Sequence, residues 1–243
     1  MLNLLLGTSG TGKTTRLLES IAARAQEGKR SIYLVPEQFS QAAELLCYET
    51  LGERLSPYCT PASFRTLSER IENLAGGGAV PTLSDAGRCV FVRRAIEQLG
   101  DEVKYYHRHR HNATFLASCA EVIQRFKSAG ADCEALYDAT REEAGERLSE
   151  LALIYSAYEG VLAGKALDPE DRISRSAAKL TEEMAEPVAF FIDDFDTFTA
   201  PEYAVLRRMI ALCDGVTVAL CCDGLADHEN GLGTVSYTHL TLP

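Results

Sequence analysis

The chain has 243 residues, a formal net charge of −11 and 46% hydrophobic residues, which suits one large or two small cores. No apolar run approaches the roughly 18 residues that span a bilayer, so no membrane partner is expected, and the N-terminal leucines read as a strand rather than a signal peptide. The eight cysteines show no C-x-x-C pair and no Cys/His metal spacing, which argues against a zinc module and predicts buried free thiols in a reducing cytoplasm.

Leu2, Leu4, Leu5 and Leu6 predict a buried first strand. It runs directly into Gly7-Thr8-Ser9-Gly10-Thr11-Gly12-Lys13-Thr14, a complete G-x-x-x-x-G-K-[ST] loop, followed by Thr15. Glycines let successive backbone N–H groups turn inward around a triphosphate. Lys13 is placed to reach the β- and γ-phosphates, and the Thr14 hydroxyl to hold Mg²⁺. Leu17, Leu18, Ile21, Ala22 and Ala25 then fall at helical spacing, so the order is strand, glycine loop, helix, with the helix N-terminus aimed at the anion. The plainer alternative is a Gly-rich turn.

The helix is expected to end near Glu27-Gly28, and Ser31 to Val35 predict a second strand stopped by Pro36. Ser40 reads as the cap of a helix carrying Ala43, Leu46, Cys47 and Leu51. Pro61 to Thr66 looks extended, and Leu67, Ile71 and Leu74 begin another helix before the break at Gly76-Gly77-Gly78. From Ser84 to about Leu180 the texture is helical. A capped helix carries Val90, Ala95, Ile96 and Leu99; a second stripe runs from Phe115 through Leu116, Cys119, Val122 and Ile123 to Phe126; a third joins Leu148, Leu151, Ile154, Tyr155, Tyr158 and Leu162. Val188 to Ile192 predicts a buried strand ending in Asp193-Asp194, Pro201 opens a helix, and Val216 to Leu220 is a last strand.

The expected architecture is therefore α/β: a P-loop NTPase (RecA-like) parallel sheet formed by residues 1–80 and 185–230, with an all-helical subdomain, 82–183, inserted between its halves. Residues 231–243 resemble a translated sequencing-adapter tail, so they are expected to be non-native and the genuine protein to continue past about residue 230.

Lys and Arg number eight against eight Asp and Glu in residues 1–80, eight against eight in 81–140, and eight against nineteen in 141–243. The net acidity lies in the last hundred residues, which leaves nucleic-acid binding by the front of the chain open without arguing for it. A phosphate loop needs an acidic partner on a neighbouring strand. Asp193 offers it, holding Mg²⁺ directly or through water; the alternative is a strand-end turn with solvated carboxylates. Asp194 occupies the place of the catalytic base that orients water. The usual residue there is Glu, one methylene longer, and a displacement near 1 Å costs on the order of 100-fold in rate.

Four segments in order carry a resemblance: Gly7 to Thr14, then Leu34-Val35-Pro36-Glu37-Gln38, then Ser63-Phe64-Arg65-Thr66-Leu67, then Phe191-Ile192-Asp193-Asp194-Phe195-Asp196-Thr197-Phe198. They resemble superfamily 1 helicases, and most closely the B subunit of the AddAB-type ATP-dependent helicase/deoxyribonuclease, with L-V-P-E-Q after the second strand and I-D-x-F-x-x-F-x-P at the acidic motif. This chain has one extra residue before Pro201. Phe126-Lys127 and Leu167-Asp168-Pro169-Glu170-Asp171 are also similar to that family.

The resemblance implies ATP and Mg²⁺ as ligands, an A subunit as heterodimer partner, double-stranded DNA ends and single-stranded DNA as substrates, scanning for a Chi-type hotspot, and DNA repair in the cytoplasm. It also implies an iron–sulfur cluster, in a C-terminal nuclease domain that none of these residues match. Ser63, Phe64 and Arg65 align with a helicase segment that touches single-stranded DNA, where an aromatic stacks a base and a cation pairs a phosphate; the plain alternative is a core Phe at a strand end. Motors of the superfamily carry D-E-x-Q where this chain has Asp193-Asp194-Phe195-Asp196, and no room is expected before Gly7 for their adenine-recognising glutamine motif. ATP binding is therefore expected, with hydrolysis weak or absent.

The basic, aromatic stretch from Lys104 to His111 could touch phosphate but reads more readily as a solvated inter-helix loop. Three functions remain: the front of a DNA end-processing helicase/nuclease, an independent P-loop nucleotide-binding protein or small-molecule kinase, and a non-catalytic module that binds ATP as a structural element.

Overall fold

The computed structural model describes residues 1–76, 80–143, 146–181 and 188–222, the side chains of 139 and 141–146 excepted. The expected tail, 231–243, and the end of the last α/β segment lie outside the described residues. The chain forms two compact units: Met1–Ala75 with Ser176–Phe198 and the chain from Glu202 onward, and Gly76–Arg175 with Thr199–Pro201.

The first unit is built on a five-stranded sheet of β1 (Leu2–Gly7), β2 (Ser31–Leu34), β3 (Cys59–Ala62), β4 (Ala189–Ile192) and β5 (Gly215–Cys221). The spatial order is β1-β5-β4-β2-β3, and every pairing is parallel, with Leu2 opposite Val216, Ser31 opposite both Cys59 and Ala189, and Ala189 opposite Gly215. All four residues of β4 are buried, as expected of a strand in a covered parallel sheet, which reads as a continuous apolar run rather than an alternation.

Helices α1 (Lys13–Gln26) and α2 (Ser40–Leu55) cover one face. Leu17, Leu18 and Ile21 of α1 and Ala43, Cys47 and Leu51 of α2 pack in one core with Tyr33, Val35, Phe191 and Ala219. Burying an aliphatic side chain of this size contributes about 1.5–3 kcal/mol, so the α1 stripe holds the glycine loop's helix firmly on the sheet. Helix α3 (Phe64–Leu74) follows β3.

Three local expectations change in this unit. β1, expected to be buried, has no fully buried residue, and its Leu4 is 39% exposed. Ser40 does not cap α2: a 3-10 turn at Glu37–Phe39 runs straight into the helix, and Phe39 takes the capping position without a side-chain bond. The extended stretch stops at Ala62, because Ser63 caps α3. Its Oγ accepts from the Thr66 N–H (3.2 Å) while Thr66 Oγ1 accepts from the Ser63 N–H (2.8 Å). That is a capping box with Thr in the place usually held by Glu or Gln.

The second unit holds α4 (Asp85–Leu99), α5 (Ala113–Ser128), α6 (Cys133–Glu143), α7 (Glu146–Leu162) and most of α8 (Pro169–Lys179). Among the described residues its β structure is an isolated parallel bridge, Thr82 to Leu167. Val92 and Ile96 of α4, Leu116 and Ile123 of α5, and Ile154, Tyr155 and Tyr158 of α7 share its core. Val90 and Leu148, read as stripe residues, are instead 54% and 41% exposed. Val90 lies two positions from Val92, which on a helix is nearly the opposite face. Helix α9 (Ala200–Leu212) buries Val205, Leu206 and Met209. No described helix is long and apolar enough to cross a membrane.

The Lys104 to His111 stretch is tied inward. The N–H groups of Lys104, Tyr105 and Tyr106 donate to the Glu150 carboxylate at 2.8, 3.0 and 3.2 Å. Tyr106 stacks on Phe115 at 5.3 Å, and His107 Nδ1 meets the Gly100 carbonyl at 2.7 Å. Glu150 thus acts as an internal anion for three consecutive amides. Glu150→Ala is expected to cost about 2 kcal/mol, since three partly buried amides lose a charged acceptor, and to raise amide exchange at residues 104–106, which hydrogen-exchange measurement reads directly.

All eight cysteines are free thiols, but only Cys47, Cys59, Cys119 and Cys213 are buried, whereas Cys221 is exposed.

Candidate nucleotide-binding site

β1 ends at Gly7 and α1 begins at Lys13, so the five intervening residues bridge a strand end and a helix start. Gly12 stands at the helix N-cap with φ 84°, in the left-handed region that glycine enters without a Cβ penalty. No side chain caps α1, and its first turn carries no acidic residue. The orphan N–H groups of that turn and the helix dipole therefore favour an anion at this point. Gly7 is required by close approach: a Cβ there would lie 2.5 Å from Thr11 Oγ1, whose hydroxyl donates to the Thr8 carbonyl at 2.8 Å.

Lys13 bends back over the loop, donating from Nζ to the carbonyls of Gly7 (2.9 Å) and Thr8 (2.8 Å). An arriving phosphate offers the same ammonium a charged acceptor in place of two neutral ones. A cleft of about 560 Å³ is bordered by Ser9, Gly10, Gly12, Lys13, Thr14 and Thr15 from the loop and by Asp193, Asp194, Phe195 and Asp196 from the end of β4, with Phe39 and Cys221 also on its rim. The loop and the acidic motif, far apart in sequence, thus face one space. Their strands are not neighbours as expected, because β5 lies between β1 and β4.

Asp193 is 2% exposed. Its N–H donates to the Leu34 carbonyl at 3.0 Å, which fixes the strand end beside β2. The Tyr33 hydroxyl donates to Asp193 Oδ2 at 3.1 Å and the Asp194 N–H to Oδ1 at 3.0 Å. Burial and then the Asp193 charge push the Tyr33 phenol up, so it remains a donor. Asp194 has φ 62°, a left-handed backbone that non-glycine residues enter at a cost. Burial and Asp193 push its carboxyl above the usual range, Lys13 pulls it down, and Asp196 pushes it up again. Among the described residues, no group of three or more His, Cys, Asp or Glu could hold a metal. The oxygen-bearing side chains that border the cleft are the hydroxyls of Ser9, Thr14 and Thr15 and the carboxylates of Asp193, Asp194 and Asp196; a pairing of the Thr14 hydroxyl with the buried Asp193 carboxylate suits a cation that keeps waters and takes phosphate oxygens.

Two of the three residues of the Ser63-Phe64-Arg65 segment are buried. Ser63 is buried, capping α3 and donating from Oγ to Glu37. Phe64 is 3% exposed, edge-on to Phe195 (5.4 Å between centroids) and Phe198 (6.1 Å). Its ring is spent on tying α3 to the acidic motif rather than presented to a base. Arg65 alone is exposed, 3.9 Å from the carboxylates of Glu37 and Glu69. Sequence reading missed Tyr33, Phe39 and Cys221.

Comparison with known proteins bears on this arrangement. The family model described as ADDB, N-terminal, matches residues 4–238. Three relatives resemble the chain, each named as the B subunit of an ATP-dependent helicase/deoxyribonuclease. That of Thermoanaerobacter sp. (strain X514) is 32% identical over 91% of this chain, that of Desulforudis audaxviator 33% over 99%, and that of Moorella thermoacetica 32% over 99%. The chain spans 20%, 22% and 22% of their respective lengths. The first unit's sheet, the second unit and the cleft described above all fall within the matched stretch but for the first residues of β1, and the chain belongs to the ADDB N-terminal family.

Proposed function

We propose that this chain is the ATP-binding, helicase-like front of one chain of a DNA double-strand-end processing helicase/nuclease, acting in recombinational repair in the cytoplasm. The observation that carries the reading is the cleft shared by the Gly7–Thr15 loop and Asp193. A RecA-like P-loop fold accounts for that placement: a parallel sheet carries the loop at the end of one strand and the carboxylate at the end of another. In this reading Gly7, Thr8, Ser9, Gly10, Thr11 and Gly12 form the cradle, Lys13 pairs the β- and γ-phosphates, and Thr15 follows at the helix start. Thr14 and Asp193 hold Mg²⁺. The bound ion neutralises charge on the phosphoryl oxygens.

Hydrolysis is a separate matter. Asp194 stands in the base position with a left-handed backbone and a carboxyl held up by burial, and its side chain is shorter than the usual Glu. We infer that the chain binds ATP and turns it over slowly, with an A subunit as partner supplying most of the motor activity. DNA ends and single strands are the substrates of the assembled complex. Arg65 is the exposed cation of the segment read as a DNA contact. The family match favours this reading over an independent kinase or a purely structural ATP module.

The test is direct. Titration of the purified chain with a fluorescent ATP analogue and Mg²⁺ is expected to give saturable binding displaced by ATP. A phosphate-release assay is expected to show turnover at least about 100-fold below a typical enzyme rate of ~10 s⁻¹. Robust DNA-stimulated turnover by the chain alone would contradict the assignment of Asp194 as an impaired base.

A further inference from the structure

Asp193 is buried, and a buried carboxylate needs donors. Among the described residues it has two: the Tyr33 hydroxyl at Oδ2 (3.1 Å) and the Asp194 N–H at Oδ1 (3.0 Å). The second bond comes from the adjoining residue. The first crosses from β2, where Leu34 pairs with Ile192 and accepts the Asp193 N–H, so the relative position of phenol and carboxylate is set by the sheet itself. Tyr33 is 1% exposed and packs in the α1–α2 core. A phenylalanine would fill that core without burying a hydroxyl, whose desolvation is unfavourable unless it is bonded. The hydroxyl's function at this position is thus in what it does to Asp193.

We infer that Tyr33 is a positioning residue for the nucleotide-bound cation: its hydroxyl fixes the plane of the Asp193 carboxylate, so that the lone pairs left by the two hydrogen bonds face the cleft. Two of roughly four acceptor sites on the carboxylate are taken. The remaining two meet the cation directly or through water. Ligating carboxylates are commonly held by such outer partners, and loss of one costs about 10- to 100-fold in metal affinity. This inference rests on the reading of Asp193 as a Mg²⁺ ligand, and the experiment separates the two.

The affinity of the full chain for a fluorescent ATP analogue is measured in chelator and across a Mg²⁺ titration, for wild type, Tyr33→Phe, Asp193→Asn and the double variant. Tyr33→Phe is expected to keep the chelator affinity and to raise the Mg²⁺ midpoint about tenfold. In the Asp193→Asn background the same change is expected to add nothing, as coupled partners require. An unchanged Mg²⁺ midpoint in Tyr33→Phe overturns the inference while leaving the nucleotide site intact. An equal loss in chelator and in Mg²⁺ also overturns it, by assigning Tyr33 to packing alone. If wild type shows no Mg²⁺-dependent step, or Asp193→Asn keeps one, the reading of Asp193 fails and takes this inference with it.

Discussion

Lys13→Ala is expected to abolish measurable binding of an ATP analogue, a loss of at least about a hundredfold. In the proposed site Lys13 meets both the β- and the γ-phosphate; two charge-assisted hydrogen bonds of about 1.5–3 kcal/mol each, at about 1.4 kcal/mol per factor of ten, account for at least that loss. The fold itself is expected to survive. Lys13 opens α1, where Ala is the best helix former, and the apolar stripe of Leu17, Leu18 and Ile21 that holds the helix is untouched. Of the two loop carbonyls released by the change, that of Gly7 keeps the Cys222 N–H as donor at 3.1 Å, and that of Thr8 is exposed and can be hydrated. A titration in which Lys13→Ala binds as wild type does, with the circular dichroism of both unchanged, would refute the phosphate-loop assignment. The loss is also expected to persist in chelator, since it acts on the phosphates. That distinguishes it from any effect routed through Asp193.

What the sequence could say about this site depended on how local each part is. The glycine loop was legible because eight consecutive residues carry its chemistry, and the strand and helix on either side follow from adjacent apolar patterns. Asp193 was legible as an acid at the end of an apolar run. Its strand's position was not, because sheet order is a non-local property: nothing in β4 or β5 records that β5 takes the place beside β1. The Tyr33–Asp193 bond spans 160 positions and exists only once the β2–β4 register is set, so no window of sequence contains it. Phe64 was open in the sequence between a base-stacking aromatic and a core residue at a strand end, and its partners lie far away in the chain: Phe195 and Phe198 converge on it from the acidic motif. Such tertiary aromatic packing is not recorded in any local segment.

The helices were legible wherever apolar residues held a 3.6-residue period. They were misread where a single apolar residue lay off the stripe, as Val90 did, or where a rival cap existed. At Ser40 a polar residue after Pro36 looked like a helix start; the turn at Glu37–Phe39 had already begun the winding. Ser63 was the effective cap because Thr66 lay three residues on to answer it. The distinction lies in the second partner of the capping box, and a motif restricted to Glu or Gln passes over it.

Lys127 stands four residues after Ile123 on the buried stripe of α5, where a lysine is not expected without partners. Its side chain is 3% exposed and lies 2.5 Å from Glu159 and 2.6 Å from Asp171, with Nζ over the rings of Tyr155 and Tyr158 at 5.9 and 5.7 Å. Burial works against the ammonium, but Asp171 and Glu159 outweigh it and the group is held charged. Lys127→Met is therefore expected to destabilise the helical unit by about 3 kcal/mol. That is the low end for breaking a buried pair, because both carboxylates remain partly exposed, at 33% and 32%, and can recover some hydration. Combining the change with Glu159→Gln and Asp171→Asn is expected to restore most of the loss, since the cost lies in uncompensated carboxylates rather than in the missing lysine. Two units need not unfold together, so amide exchange in α5 and α7 is the appropriate measurement. A single change that leaves that exchange untouched would show the cluster to be energetically idle, whereas failure of the triple variant to recover would place the stabilisation in the cation–π packing on Tyr155 and Tyr158.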